Sequence, residues 1–310
     1  MISSKEARHR AKVKAQAAID AASLEFERGV IDETVWQSRV TDALAAAYLI
    51  EDDPRWQVTR QHFSTEGALM SISVIIPAYD EERYLGETLH SVQRAKGLLL
   101  EMRGVATEII VVDNGSIDAT ASIAQAAGAQ VIEESEHNVA RVRNTGAATA
   151  SGQVLVFIDA DVTVPESLLW RIDEVMADEA CLGGAVDTIY QPAKHSVKIY
   201  LRMWRLLGKL MGMAQGATQF CRRDVLVSLE GYDETLFMGE DVDFYWRMKR
   251  LAKRGRARVC FMGDVQVSPS TRRFDRWSFW RIVIWTNPLF IFLFRRRKRV
   301  WREWYSVVPR

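Results

Sequence analysis

Cysteine is scarce in this chain of 310 residues: Cys181, Cys221 and Cys260 are three in number and far apart. An odd count without metal-ligand spacing excludes a disulfide framework and a zinc site, and leaves reduced thiols as in a cytosolic protein. Charge of one sign is absent too. The 41 Lys and Arg nearly cancel the 40 Asp and Glu, for a net charge of +1. No global field therefore recruits nucleic acid. No apolar stretch follows the charged first residues Lys5, Arg8, Arg10, Lys12 and Lys14, so a secretory signal is not expected and the expected place of work is the cytoplasm. The glycine-rich G-x-G-x-x-G turn is missing after the first strand, which argues against a dinucleotide-dependent oxidoreductase. What remains is a globular balance, 48% hydrophobic and 26% charged, with length enough for a large core.

Residues 1–70 divide into a helical stretch, rich in Ala, Leu, Glu, Lys and Arg, and an irregular one starting at Glu51-Asp52-Asp53-Pro54. They are expected to form a helical extension and linker without identifiable chemistry. The texture changes at Ser71. Ile72–Pro77, Glu108–Val112, Gln130–Glu133 and Val154–Ile158 are short β-branched runs of the kind that form buried parallel strands. Helical patterns fall between them at Asp80–Gln93, Ala119–Ala127 (closed by Gly128) and Val139–Ala150. This alternation predicts an α/β fold, a doubly wound, mostly parallel sheet flanked by helices.

Such sheets bind ligands beyond the carboxyl ends of their strands. Three of those ends are acidic: Tyr79-Asp80-Glu81-Glu82, Asp113-Asn114-Gly115-Ser116 and Asp159-Ala160-Asp161. In extended chain, carboxylates at i and i+2 point the same way, so Asp159 and Asp161 suit one hard cation such as Mg²⁺ or Mn²⁺. An acidic pair that merely opens a loop reads the same locally. Asp113 fits either a hydrogen-bond acceptor for a base or ribose or an Asx turn before the helix. Arg141, Arg143 and Asn144 begin a helix, where cations oppose the dipole; an anionic partner or a solvated face explains them. Gly239-Glu240-Asp241-Val242-Asp243 offers a general base, or simply the acids that a helix start favours.

Taken in order, V-I-I-P-A-Y-D-E-E, V-V-D-N-G-S, R-N-T-G, D-A-D, G-A-T-Q-F, G-Y-D-E and G-E-D-V-D resemble the family 2 glycosyltransferases over roughly residues 71–262. The resemblance implies the glycosyltransferase A fold and inverting transfer from a nucleotide-diphosphate sugar, usually a UDP-sugar, to an acceptor hydroxyl. It implies that Pro77, Ala78, Tyr79 and Glu81 line the nucleotide pocket and that Asp113 binds the base. Asp159 would contact ribose or metal, with Ala160 beside it; Asp161 would ligate Mn²⁺ or Mg²⁺; and Arg143 would serve the donor. Asp241, in the Glu240-Asp241 pair, would be the catalytic base, and Gly216-Ala217 would border the acceptor. Asp80 stands where asparagine is common. The Q-x-x-R-W of processive synthases is missing, which argues for addition of one sugar. No histidine stands in the C-terminal segment, where some relatives supply a metal ligand; Ser268–Arg273 occupies that region, with arginines suited to a diphosphate.

Residues 263–310 read as a C-terminal helical segment. Trp277–Phe294 is barely long enough to span a bilayer and contains Arg281, Asn287 and Pro288, with Arg295–Arg299 following at once. Placement in the membrane interface suits it better, on the cytoplasmic inner face, and His195–Met213 forms a second such pattern. Packing of both against the core is the alternative. On the interfacial reading the acceptor is a sugar, a lipid-linked group or another hydroxyl near the membrane. Nucleotidyl transfer also uses D-x-D, but the acidic loop after the first strand is the opposite of the basic, glycine-rich one it needs. A non-catalytic nucleotide-binding protein at the membrane is the remaining alternative, against which Asp161 and Asp241 both speak.

Overall fold

In a computed structural model the chain divides into two units, Met1–Val58 and Thr59–Arg310. Residues 71–210, 212–213 and 216–301 are described, together with six isolated positions before Ser71. The expected N-terminal helical extension and linker, 1–70, therefore lies outside the described residues.

Eight strands form one sheet in the order β3-β2-β1-β4-β7-β6-β8-β5. Its first half is parallel: β1 (Ile72–Ala78) lies between β2 (Thr107–Asp113) and β4 (Val154–Ile158), and β3 (Gln130–Glu133) extends β2. Helices cover both faces, so β1, β2 and β4 are buried almost throughout, which is why their sequences are β-branched runs rather than alternations. The register aligns Ala78, Asp113 and Glu133 in one row, so that the loops after three strands leave from the same edge.

The second half is mixed. β7 (Thr218–Arg222) runs antiparallel to both β4 and β6 (Cys181–Thr188). Its first residue therefore sits beside the last of β4, Ile158 against Thr218, and the Asp159 amide donates to the Ala217 carbonyl at 3.2 Å. β8 (Arg258–Pro269) runs parallel to β6, and its far end pairs with the two-residue β5 (Val162–Thr163). The Ser270 amide donates to the Asp161 carbonyl at 2.8 Å. These reversals carry two distant segments, 216–217 and 270–273, to Asp159-Ala160-Asp161. β8 also runs through residue 262, so the boundary expected there falls inside a strand and the sheet continues to Pro269.

α1 (Leu85–Arg103) begins five residues later than the pattern from Asp80 suggested. The loop before it is held by the next βα loop. The Asp80 amide donates to Ser116 Oγ, the Glu81 amide to Thr120 Oγ1 and the Glu82 amide to Asp118 Oδ2. Asp80 itself adopts φ 49°, outside the right-handed helical region, so the helix cannot start there. α2 (Thr120–Ala126) follows β2, and Gly128 after it adopts φ 73°. α3 (Val139–Thr149) is capped by the Asn138 side chain. It lies close on the sheet because Gly146 has no side chain: a Cβ there would come within 2.5 Å of Ile75 Cγ2 and 2.8 Å of Val112 Cγ2. α4 (Leu168–Met176), α5 (His195–Leu210), α6 (Arg223–Ser228) and α7 (Glu240–Arg254) complete the main body. The C-terminal segment is not one helix but three short ones: α8 (Arg272–Arg276), α9 (Phe279–Trp285) and α10 (Pro288–Phe294). The break after α9 falls where Asn287 caps α10 and Pro288 occupies its first turn.

Candidate active site

The strand ends open into a cleft of about 1120 Å³. That exceeds the ~300–1,000 Å³ usual for a single small ligand, and leaves room for two reactants. Every residue to which the resemblance gives a role, except Asp113, stands in its wall, while Arg141 and Asn144 do not.

Asp113 is buried at the end of β2, where its carboxylate accepts from the Ser116 hydroxyl and, at 3.3 Å, from the Ser116 amide. This is the Asx-type turn, made by the residue that the resemblance assigned to the base. Its neighbour Asn114 reaches the cleft instead, anchored by its amide group to the carbonyls of Glu134 and Glu136 at 2.6 and 2.9 Å. Opposite, the rings of Tyr79 and His137 lie 4.7 Å apart at 50°. Tyr79, Asn114 and His137 thus form an aromatic and amide recess of the kind that holds a planar base.

Arg143 is the hinge between the two halves of the cleft. Held inward by α3, it is 3% exposed; Nη2 donates to Asp159 Oδ1 at 2.8 Å and Nη1 to Glu240 Oε1 at 2.6 Å. Its guanidinium also lies over the Tyr232 ring, 5.4 Å from the centroid. The anion that Arg143 meets here is thus the protein's own pair of carboxylates. Asn144, next along, accepts from the Tyr232 amide at 2.8 Å and donates to the Tyr232 carbonyl at 2.9 Å. Gly231 (φ 69°) makes that approach possible, since a Cβ would meet Asn144 Oδ1 at 2.5 Å. R-N-T-G and G-Y-D-E are therefore two sides of one joint.

The acids at the start of α7 have separate fates. Asp243 is taken by Arg247 one turn on, at 2.7 Å, as a helix-start acid would be. Glu240 is buried against Arg143. Asp241 faces the cleft, with Oδ1 accepting from its neighbour's amide at 2.8 Å and Oδ2 against Gly216, where any Cβ would clash with it. Gln219 of β7 holds the Asp241 carbonyl at 3.0 Å. Burial pushes the Asp241 carboxyl up to about 7, reinforced by the charge of Glu240 and opposed by Arg143. Asp159 is pushed up to about 6 by burial, again against the pull of Arg143. Asp161 is raised as well, by burial first, with Arg272 opposing.

Asp159 and Asp161 occupy a turn, not extended chain, and they part company: Asp159 faces Arg143, while Arg272 Nη2 lies 3.3 Å from Asp161 Oδ2. Arg272 also pairs in bidentate fashion with Glu81 and stacks over Tyr84 at 4.5 Å. Among the described residues no three His, Cys, Asp or Glu side chains converge to cage a metal ion. A hard cation that arrives with a diphosphate needs only one or two carboxylates, the phosphates and water supplying the rest. Asp161 fits that part: it is a half-buried carboxylate open to the cleft, whose charge burial disfavours and Arg272 and Arg273 favour. The parts to which sequence reasoning gave no role are Asn114, His137 and Gln219, while Arg272, expected to suit a diphosphate, is paired here with Glu81 and Asp161. Gln219 was visible within G-A-T-Q-F, and Arg272 within the segment that replaces the missing histidine.

Residues 73–228 match the profile described as Glycosyl transferase family 2, half of the chain. Among curated proteins, glycosyltransferase AglE of Haloferax volcanii is 28% identical over 207 residues, 63% of this chain and 65% of that protein, so less than two thirds of the relative is spanned. Among solved structures, mannosyltransferase PcManGT from Pyrobaculum calidifontis, in complex with GDP-Man and Mn²⁺, superposes with a TM-score of 0.50 at 19% identity, covering 74% of this chain and 67% of that one. Glucosyl-3-phosphoglycerate synthase from Mycobacterium tuberculosis, with Mn²⁺, UDP-glucose and phosphoglyceric acid, gives 0.50 at 18%, covering 76% and 85%. At those identities the likeness is one of fold.

Proposed function

The chain belongs to glycosyl transferase family 2, and from that premise we propose that it is an inverting, single-addition transferase moving a sugar from a nucleotide-diphosphate sugar, a UDP-sugar, to an acceptor hydroxyl. The observation that supports this most is the presence in one cleft of Asp161, Asp159, Arg143, Glu240 and Asp241, drawn from segments up to 98 residues apart in Arg143 and Asp241. Mn²⁺ in two proteins of the same fold, each with a diphosphate-bearing donor, supports the same chemistry here.

In this reading the base of the donor lies in the recess of Tyr79, Asn114 and His137, and its diphosphate passes over Ala160. Asp161 would hold the cation, and a cation there would supply charge neutralisation of the leaving group. Arg143 fixes Asp159 and Glu240 and so sets the distance between donor and base. Asp241 Oδ2 takes the proton of the acceptor hydroxyl as its oxygen bonds to the anomeric carbon. The bond from that carbon to the diphosphate breaks on the opposite face, and its electron pair stays on the phosphate oxygen. One base and one displacement invert the configuration. Glu240, committed to Arg143, holds the geometry and does not take the proton. The catalytic domain begins at 71, and the acceptor, a sugar or lipid-linked hydroxyl, enters through the apolar arm of the cleft between α5 and α9–α10. The enzyme works at the cytoplasmic membrane face.

The test is a thermal-shift screen of nucleotide sugars with and without Mn²⁺. At a donor concentration one hundred times Kd, binding stabilises by roughly 2.7 kcal/mol, several degrees in melting temperature. A UDP-sugar that stabilises only with Mn²⁺ is the expected outcome. Stabilisation by no nucleotide sugar under any condition removes the reading.

A further inference from the structure

The inner faces of α5, α9 and α10 line the cleft, but their outer faces are apolar and exposed among the described residues. On α5, Leu201, Trp204, Arg205 and Gly208 face the cleft, and Val197 is buried. On the opposite side of the same helix Ile199, Met203, Leu206 and Leu207 are exposed, Met203 by 66%. Those four positions follow helical spacing and form a second apolar stripe about half a turn from the first. Lys198 and Arg202 lie along its flank, and α5 contains no acidic residue.

The C-terminal helices repeat this. α9 buries Ile282 beside Trp277, packs on Val197 and Leu201, and is tied to α5 by a 2.7 Å hydrogen bond between Tyr200 Oη and Thr286 Oγ1. α10 is held from within by the Phe237 amide on the Arg295 carbonyl, at 2.7 Å, and by Trp301 Nε1 on the Phe294 carbonyl, at 2.8 Å. Yet none of its residues is buried, and Trp280, Ile284, Leu289, Phe292 and Leu293 are all more than half exposed. Residues 272–301 carry nine Lys or Arg against one acid, Asp275, in a chain whose net charge is +1. Soluble surfaces rarely keep apolar areas of this kind without a use.

We infer that the outer faces of α5, α9 and α10 form one docking surface for an anionic lipid bilayer, which brings the apolar arm of the cleft to the membrane. The charge decides the partner: large apolar side chains including an exposed tryptophan, edged by a basic cluster, match the interface of anionic lipid, to which Lys and Arg near the surface are attracted. No helix among the described residues is long and apolar enough to cross a membrane, so the contact is one of lying on the surface. The inference shares the membrane location with the proposed function but not its chemistry, because docking requires no donor.

Flotation of the full chain with vesicles of phosphatidylcholine, with and without phosphatidylglycerol, tests it. The protein is expected to float with the anionic vesicles at low salt and to be released at high salt. Met203→Glu with Leu206→Glu, or Leu293→Glu, is expected to lower the partition coefficient at least about tenfold, as is Arg202→Glu with Arg297→Glu. None of these side chains stands in the cleft wall, so melting temperature and the donor-induced shift should stay unchanged, which separates failure of docking from failure of the transferase reading. Absence of flotation, or flotation indifferent to these substitutions, overturns the inference. So does a dimer in light scattering that Met203→Glu with Leu206→Glu dissolves, which would assign the face to a second copy.

Discussion

Asp241→Asn is expected to lower kcat/KM by about 10²–10⁴-fold, the range that a positioned general base supplies, while the affinity for donor is unchanged. The amide is nearly isosteric, so the contact with Gly216 and the amide hydrogen bond from Val242 can persist. What is lost is the ability to accept a proton. The wild-type pH profile carries the same information. Burial has pushed the Asp241 carboxyl up to about 7, and the base works only when deprotonated. kcat/KM should therefore climb with pH, bend near 7 and level above it. For stability the sign is reversed. A raised carboxyl favours folding in its protonated form, so its contribution is present in full below 3.8 and disappears as pH rises through about 7. Turnover of Asp241→Asn at the wild-type rate, with an unchanged profile, would assign the proton to another group.

Arg143→Met should damage the fold as well as the reaction. The side chain is buried between two carboxylates, with a third, Asp241, close enough to raise its pKa further. Removing the cation leaves Glu240 buried without its partner, and breaking such a pair costs about 3–5 kcal/mol. Against a total stability of roughly 5–15 kcal/mol this is a large share. Urea unfolding should show that loss, and Arg143→Met with Glu240→Gln should recover part of it, since the more deeply buried of the two carboxylates is then no longer stranded and only Asp159 lacks its partner. In whatever fraction folds, the pH limb of kcat/KM should move upward, because the charge that opposes protonation of Asp241 has gone. A variant as stable as the wild type, with its limb in place, would show that Arg143 does not hold the site together.

How far the fold can be read from residues alone depends on how local the cause is. Gln130–Glu133 and Val154–Ile158 were predicted to the residue: Val154–Ile158 is buried throughout and has to be a short apolar run between breakers, while the half-exposed edge strand Gln130–Glu133 is marked off by Gly128 before it. α1 was expected too early, since its helical pattern is local but the left-handed turn at Asp80 before it is held by Ser116 and Ile117, over thirty residues away. The antiparallel insertion of β7 left no periodicity of its own, yet it alone brings Gly216-Ala217 to Asp159. The break between α9 and α10 was written in Asn287-Pro288, a cap followed by a helix-starting proline, within a stretch whose hydrophobicity suggested continuity.

The site divides in the same way. Asp161 and Asp241 were recognisable by motif, and both stand in the cleft. Arg143 was recognisable as a cation awaiting an anion; that the anion is Glu240, 97 residues on, is a property of the folded chain. Asp113 shows the opposite case. Two explanations of it were equal in the sequence, and in the structure its carboxylate closes the local turn with Ser116 while Asn114 lines the cleft.

The central claim is that Asp161 joins a cation to the diphosphate of the donor in the cleft shared with Asp241. Calorimetric titration of the UDP-sugar found by thermal shift, into wild type and Asp161→Ala with and without Mn²⁺, tests it without need of an acceptor. The account predicts binding to the wild type that strengthens with Mn²⁺, and in Asp161→Ala an affinity that Mn²⁺ no longer changes. An Asp161→Ala protein that gains as much from Mn²⁺ as the wild type would contradict it.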